Sequence, residues 1–234
     1  MLAKIIFIVP FMKKLLLTLL TVSLITTAWA KDKQKKVTIE TEYGKIELVL
    51  FDNTPKHRDN FVKLVGEEFF DSTLFHRVIP QFMIQGGDPE SKKAPAKMPL
   101  GNGDVGYRVD AEINEVNFHQ YGAVAAARDN NPNKSSSGCQ FYIVVGKQFT
   151  DEQLDAMSKQ NGRTYTPAQR AIYKTKGGTP HLDGNYTVFG QVTDGMDVVE
   201  KIIEENRDGN DRPLKDMRML KVRMAKKKKF LGIF

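Results

Sequence analysis

Cysteine is almost absent from the chain: Cys139 is the only one in 234 residues. No disulfide can form within a monomer, and no thiolate cluster can hold a metal. Histidine is sparse too. His57, His76, His119 and His181 are scattered, with no metal-ligand spacing between them. Long apolar runs are missing: the longest mainly apolar stretch, Leu15 to Ile25, covers 11 residues, against about 20 for a membrane-spanning helix. The body also lacks an excess of positive charge. Of the net +7, Lys4, Lys13 and Lys14 carry +3, residues 31–36 (KDKQKK) carry +3 and Lys226 to Lys229 carry +4, which leaves 37–225 at −3. The pI of 9.3 therefore belongs to the ends, read as a basic linker (31–36) and a basic tail (223–234). A nucleic-acid groove is not indicated.

Several motifs lack the context their chemistry needs. GNGDVG (101–106) matches G-x-G-x-x-G, but KKAPAKMPL precedes it and YRVDAEI follows, not a strand and a helix. SSSGCQF offers Ser and Cys near a turn without an oriented base, so Cys139 reads as an inert buried thiol. DGND (208–211) lacks the carboxylate spacing of a calcium loop and reads as a turn. No cofactor and no metal are expected.

What is present begins with a targeting pattern. Lys13 and Lys14 precede the apolar run, and Ala28-Trp29-Ala30 follows as a small-x-small cleavage site. Residues 1–30 are expected to be a cleavable secretory signal peptide, with translation starting at Met12, because Pro10 and the two lysines separate the leading segment from the rest. A periplasmic location follows, without stable membrane insertion after cleavage. An uncleaved anchor is the alternative.

The remainder is rich in short strands. VTIETEYGKIELVLF alternates apolar and polar residues on both sides of Tyr43-Gly44, the pattern of a hairpin. STLFHRVI, FMIQGGD, GAVAAA (122–127), CQFYIVV (139–145), YTVFGQV (186–192) and MRMLKVR (217–223) are further strand candidates. One helix is predicted from Thr54-Pro55, with Thr54 as N-cap, to about Gly66, and another from Asp194 to Ile203. Many short strands with a helix near each end suggest a barrel capped by helices. Between two strands, 147–179 carries two capping boxes, Thr150-x-x-Gln153 and Thr166-Pro167-x-Gln169. A pair of short helices is expected there, as a surface insertion that a short turn could replace.

One residue does not fit a purely structural reading. Arg77, always charged, stands beside the core-like Val78, Ile79, Phe82, Met83 and Ile84. Three segments, FHRVIPQFMIQGGD, NKSSSGCQFYI and HLDGNYTVFGQV, occur in that order. Together they resemble the cyclophilin-type peptidyl-prolyl isomerases, over about residues 37 to 222. The first segment matches the family pattern F-H-R-x-I-P-x-F-x-x-Q-G-G-D at every fixed position. The resemblance implies a mainly β fold, a closed eight-stranded antiparallel β-barrel capped by two helices, here with a short helical insertion at 147–179. It implies a catalytic role for Arg77. Phe82, Met83, Tyr142 and Leu182 match the pocket for the substrate proline. Gln85 and Gln140 match the groups that hold the peptide backbone, and Ala127 and Arg128 the segment along which the peptide lies. Three positions depart from the usual family residue: Arg128 replaces an asparagine, Tyr186 a histidine at the pocket rim, and His181 the tryptophan found in family members that bind cyclosporin tightly, so weak binding of that drug is expected. The implied partners are proline-containing polypeptides, unfolded or exported, met by a monomer. A proline-peptide binding or chaperone module with incidental turnover is the competing reading.

Overall fold

Alternation of apolar and polar residues builds the first hairpin. The computed structural model describes residues 34–225, in which β1 (Lys36–Thr41) pairs antiparallel with β2 (Gly44–Leu50). Val37, Ile39, Ile46 and Leu48 are fully buried on its inner face. The expected signal peptide and the Lys226 to Lys229 run lie outside the described residues. Among the described residues Lys36 already belongs to β1, and the last strand runs to Met224.

The chain continues through α1 (Pro55–Gly66), β3 (Phe75–Ile79), β4 (Met83–Gly86), a 3₁₀ turn (Pro89–Lys93), β5 (Arg108–Val109), β6 (Ala123–Ala126), β7 (Ser136–Ser137) and β8 (Phe141–Val144). Then come α2 (Asp151–Asn161), α3 (Pro167–Thr175), a 3₁₀ turn (Pro180–Leu182), β9 (Val188–Asp194), α4 (Met196–Ile203) and β10 (Met219–Met224). Eight strands form one sheet in the order β10-β1-β2-β9-β6-β8-β4-β3, and β5 and β7 form a separate pair. All pairings are antiparallel.

The sheet curls, but its ladder does not run all the way round as the closed barrel required. The edge strands β3 and β10 meet through the isolated bridge Leu74–Arg218. Around it the Phe75 N–H donates to the Met217 carbonyl and the Met219 N–H to that of Thr73, both at 2.8 Å. On one side the Ser72 N–H also donates to the Met219 carbonyl at 2.8 Å, and positive φ at Ser72, +67°, then turns the chain.

Inside the curl Ile39, Leu48, Ile84, Phe141 and Ile143 pack against Phe61 and Leu64 of α1 and Val199 and Ile202 of α4. Each such side chain contributes about 1.5–3 kcal/mol by leaving water. Thr54 does not cap α1 with its side chain. Glu112, distant in sequence, accepts from the Lys56 and His57 backbone N–H groups at 2.9 Å each, and His57 Nδ1 lies 2.7 Å from it. An acidic side chain at a helix N-terminus meets both the unpaired amides and the positive end of the dipole.

The insertion contains the two expected helices, and both capping boxes form. Its base is a crossing of Lys147 and Gly178, each donating its N–H to the other's carbonyl. Gly178 has φ +152°, and a Cβ there would lie 2.2 Å from the His119 carbonyl, so only glycine fits. The insertion is less separable than a surface decoration. Phe149, Leu154, Tyr165 and Tyr173 form their own buried cluster and enclose Phe118 from the body.

Candidate active site

β8 is buried on both faces, which explains its unbroken apolar sequence FYIV, and β4 beside it is buried except at Gln85. Ile84, Phe141 and Ile143 point into the core, while Met83, Tyr142 and Val144 point outward and form a second cluster with Phe82, Leu182 and Tyr186. Arg77 belongs to that outer face. It pairs with Gln85, Gln85 with Tyr142, and Tyr142 with Ala125, so one outward row crosses four strands in register.

Two backbone features fix the row. Gln81 takes φ +57°, turning the chain between β3 and β4. The Phe82 carbonyl then accepts from the Val145 and Gly146 N–H groups at 3.0 and 2.9 Å. After β4, Gly87 has φ +94°, and a Cβ on it would lie 2.2 Å from the Cys139 carbonyl. The second glycine of QGGD thus allows β4 and the segment before β8 to approach closely.

Arg77, Phe82, Met83, Gln85, Ala127, Arg128, Tyr142, Leu182 and Tyr186 line a single open pocket of about 210 Å³. Nine of the residues singled out from the sequence therefore meet in one place. Phe82, Met83, Tyr142 and Leu182 make its apolar wall. The Arg77 side chain is 43% exposed, with Nε 3.8 Å from Asp211 Oδ2. Asp211 is shared with Arg207 Nε at 3.5 Å, so its hold on Arg77 is loose. Arg128 donates to the Asn185 and Asp129 carbonyls and stacks its guanidinium over Tyr186, 4.8 Å from the ring centre.

The other two residues occupy different places. Gln140 is buried and faces away from the opening: its amide N–H groups donate to the Gly101 and Gly103 carbonyls at 2.9 Å. Its Oε1 accepts from Gln85 at 3.0 Å, so Gln140 orients Gln85 and does not line the pocket. His181 is exposed and stacks on the outside of Phe82, with ring centres 5.5 Å apart. The face of its ring that packs against the protein is desolvated, which lowers its pKa.

The rejected GNGDVG segment has a structural task. Asp88 accepts from the Gly101 and Gly103 N–H groups at 2.6 and 3.3 Å, and the carbonyls of those glycines hold Gln140. Cys139 is buried, and burial pushes its thiol up to about 11. Among the described residues no group of three or more His, Cys, Asp or Glu side chains is arranged to hold a metal.

Sequence reasoning missed the pocket's inner support. The Tyr142 hydroxyl meets His119 Nε2 at 2.9 Å, and His119 Nδ1 meets Asp183 Oδ1 at 2.7 Å. Asp211, read only as part of a turn, also belongs beside Arg77. Neither has a sequence signal, because each pairing spans tens of residues and repeats no spacing.

Residues 36–224 match the family model of cyclophilin type peptidyl-prolyl cis-trans isomerases. A Staphylococcus epidermidis protein named as a peptidyl-prolyl cis-trans isomerase is 34% identical over 188 residues, covering 80% of this chain and 90% of that one. A Staphylococcus aureus protein of the same name is 36% identical over 183 residues, covering 78% and 87%. A Streptococcus pyogenes protein named as a bifunctional phosphatase/peptidyl-prolyl cis-trans isomerase is 36% identical, but the match spans only 37% of its length. The crystal structure of a Cryptosporidium parvum cyclophilin type isomerase superposes with a TM-score of 0.59 at 23% identity, over 83% of this chain and 99% of that one. The same fold is seen in a structure of that isomerase in the presence of the dipeptide Ala-Pro, with a TM-score of 0.58.

Proposed function

The chain belongs to the cyclophilin-type peptidyl-prolyl cis-trans isomerases, and we propose that its outer-face pocket grips the proline of an X-Pro bond while Arg77 stabilises the twisted amide. The barrier to rotation, about 18–20 kcal/mol, is lost amide resonance. No covalent bond breaks, so neither a nucleophile nor an acid–base pair is required. As the amide twists, the prolyl nitrogen regains a lone pair. A guanidinium N–H donates to it and remains protonated at any working pH. Next to an apolar wall that donor acts through fewer screening waters than in bulk. Phe82, Met83, Tyr142 and Leu182 hold the ring against rotation. Gln85, oriented by Gln140, and the Arg128 segment hold the peptide on either side. Among the described residues the Arg128 backbone N–H and C=O have no partner, which suits pairing with an extended substrate.

The observation that carries this reading is the Arg77 guanidinium lining a pocket opposite an apolar wall of Phe82, Met83, Tyr142 and Leu182, with a weakly held carboxylate as its only ion-pair partner among the described residues. A protease-coupled assay on proline peptides, with wild type and Arg77→Ala, tests it. The proposed setting is the periplasm, with exported and unfolded polypeptides as substrates and the enzyme acting as a monomer. The Lys13-Lys14, apolar and Ala-Trp-Ala pattern supports export. The N-terminal sequence of the protein recovered from a periplasmic fraction checks it: a mature chain starting at Lys31 is expected.

A further inference from the structure

Three polar side chains of the insertion turn inward, toward the 3₁₀ turn Pro180–Leu182. Asn161 Nδ2 and the Tyr165 hydroxyl both donate to the Pro180 carbonyl at 2.9 Å. At the other end of the turn the Tyr173 hydroxyl donates to Asp183 Oδ2 at 2.6 Å. Leu182, a wall of the proline pocket, lies between these two anchors.

Asp183 is an unusual group to bury, since its side chain is 0% exposed. A carboxylate out of water is tolerated only when its lone pairs are filled. Here Oδ1 accepts from the His119 backbone N–H at 2.9 Å and faces Nδ1 at 2.7 Å, while Oδ2 takes the Tyr173 hydroxyl. The carboxylate assigns the proton to Nδ1, which leaves Nε2 to accept the Tyr142 hydroxyl. Burial raises both tyrosines far above their ordinary value, with the Asp183 charge adding to the effect. Both hydroxyls therefore stay protonated and act as donors. The His119 ring also lies nearly parallel to that of Tyr142, at 6.0 Å and 11°, and edge-on to Tyr186 at 6.4 Å.

We propose that Tyr173, carried by the helical insertion, is a positioning residue for the proline pocket: the buried relay Tyr173–Asp183–His119–Tyr142 sets one wall, and the Asp183–Leu182 link sets another. Without the Tyr173 hydroxyl, Asp183 loses a charge-assisted hydrogen bond in a place water does not reach. The carboxylate then shifts, and the imidazole and the Tyr142 ring follow. Side-chain networks in a low-dielectric interior transmit such changes because each member has few alternative partners. The insertion thus acts on the same pocket that catalyses rotation, and the inference rests on that pocket being the peptide site.

Tyr173→Phe removes one hydroxyl and keeps the ring among Phe118, Phe149 and Tyr165. At a temperature where the variant remains fully folded by circular dichroism, kcat/KM on a proline peptide is expected to fall about tenfold. The ¹⁵N shifts of the His119 ring and the Tyr142 aromatic signals should move with it. Tyr165→Phe, whose hydroxyl donates to the Pro180 carbonyl and only secondarily faces Asp183, should lower kcat/KM by about threefold and move the His119 shifts less than Tyr173→Phe does. Lys159→Ala, on the exposed side of the same insertion, should change neither reading. Wild-type kcat/KM in Tyr173→Phe overturns the proposal, and so does a loss of kcat/KM with unmoved His119 and Tyr142 signals. A wild-type protein inactive on every proline peptide would instead sink the proposed function, and the His119 and Tyr142 signals of Tyr173→Phe would still decide the relay.

Discussion

Replacing Arg77 by alanine separates catalysis from stability more sharply than any other single change. The side chain is 43% exposed and its ion pair to Asp211 is 3.8 Å long, so the pair contributes at most about 1 kcal/mol to folding. For a domain of this size that corresponds to about 2–4 °C in Tm. The effect on rate is far larger. A typical acceleration of about 10⁵ needs about 7 kcal/mol of selective stabilisation of the twisted amide. One pre-positioned donor supplies about 3–4 kcal/mol of such stabilisation. Arg77→Ala should therefore lower kcat/KM by two to three orders of magnitude, about 3–4 kcal/mol, while circular dichroism and Tm stay close to wild type. Arg77→Lys should rescue poorly, since an ammonium lacks the planar fork. Protease-coupled kinetics on one proline peptide, run beside thermal melts, measure both quantities. Activity of Arg77→Ala within about a factor of three of wild type would refute the electrostatic argument and leave the pocket as a binding groove.

Catalysis should be level from about pH 6 to 9, because the reaction as proposed uses a guanidinium and no acid–base pair; a large bell-shaped profile would reopen the assignment. Stability should not be level on the acid side. Burial, partly opposed by the Asp88 charge, lowers His76 to about 4, so the unfolded chain binds its proton first. That contribution, about 3 kcal/mol, is complete above about pH 6.5 and is lost progressively as the pH falls from there to about 4. Urea midpoints at pH 7 and 4.5 should differ accordingly, and His76→Gln should shrink the difference. Replacing 149–177 with a short turn, harmless on sequence grounds, should destabilise by about 3–6 kcal/mol, since it uncovers Phe118 and strips Asp183 of a hydrogen bond. A Tm within about 3 °C of wild type would contradict this. His181 offers less apolar contact than the tryptophan that the resemblance associates with tight cyclosporin binding, a loss of about 1–2 kcal/mol. Weak inhibition is expected, with His181→Trp tightening it at least about tenfold and changing kcat/KM much less; low-nanomolar inhibition of wild type would contradict the expectation.

Much of this protein was determined by local order in the sequence. The β1–β2 hairpin follows from period-two alternation, α1 and α4 from one-sided apolar spacing, and the two insertion helices from capping boxes whose partners are three residues apart. These features depend on neighbours, so a linear reading finds them. The pocket residues were legible as well, because Arg77, Phe82, Met83 and Gln85 fall within one motif whose backbone turn is set by Gln81 and Gly87.

Pairings across long sequence distances were decided only by the tertiary structure. Glu112, and not Thr54, meets the first amides of α1, because a remote carboxylate reaches two N–H groups and a histidine together. The barrel's last seam comes down to the Leu74–Arg218 bridge and the few hydrogen bonds around it, a pairing between segments more than a hundred residues apart. Gln140 orients Gln85 because two loop carbonyls engage its amide. The link from Tyr173 to Tyr142 joins four side chains from separate segments, held together by the requirement that a buried carboxylate find every one of its partners.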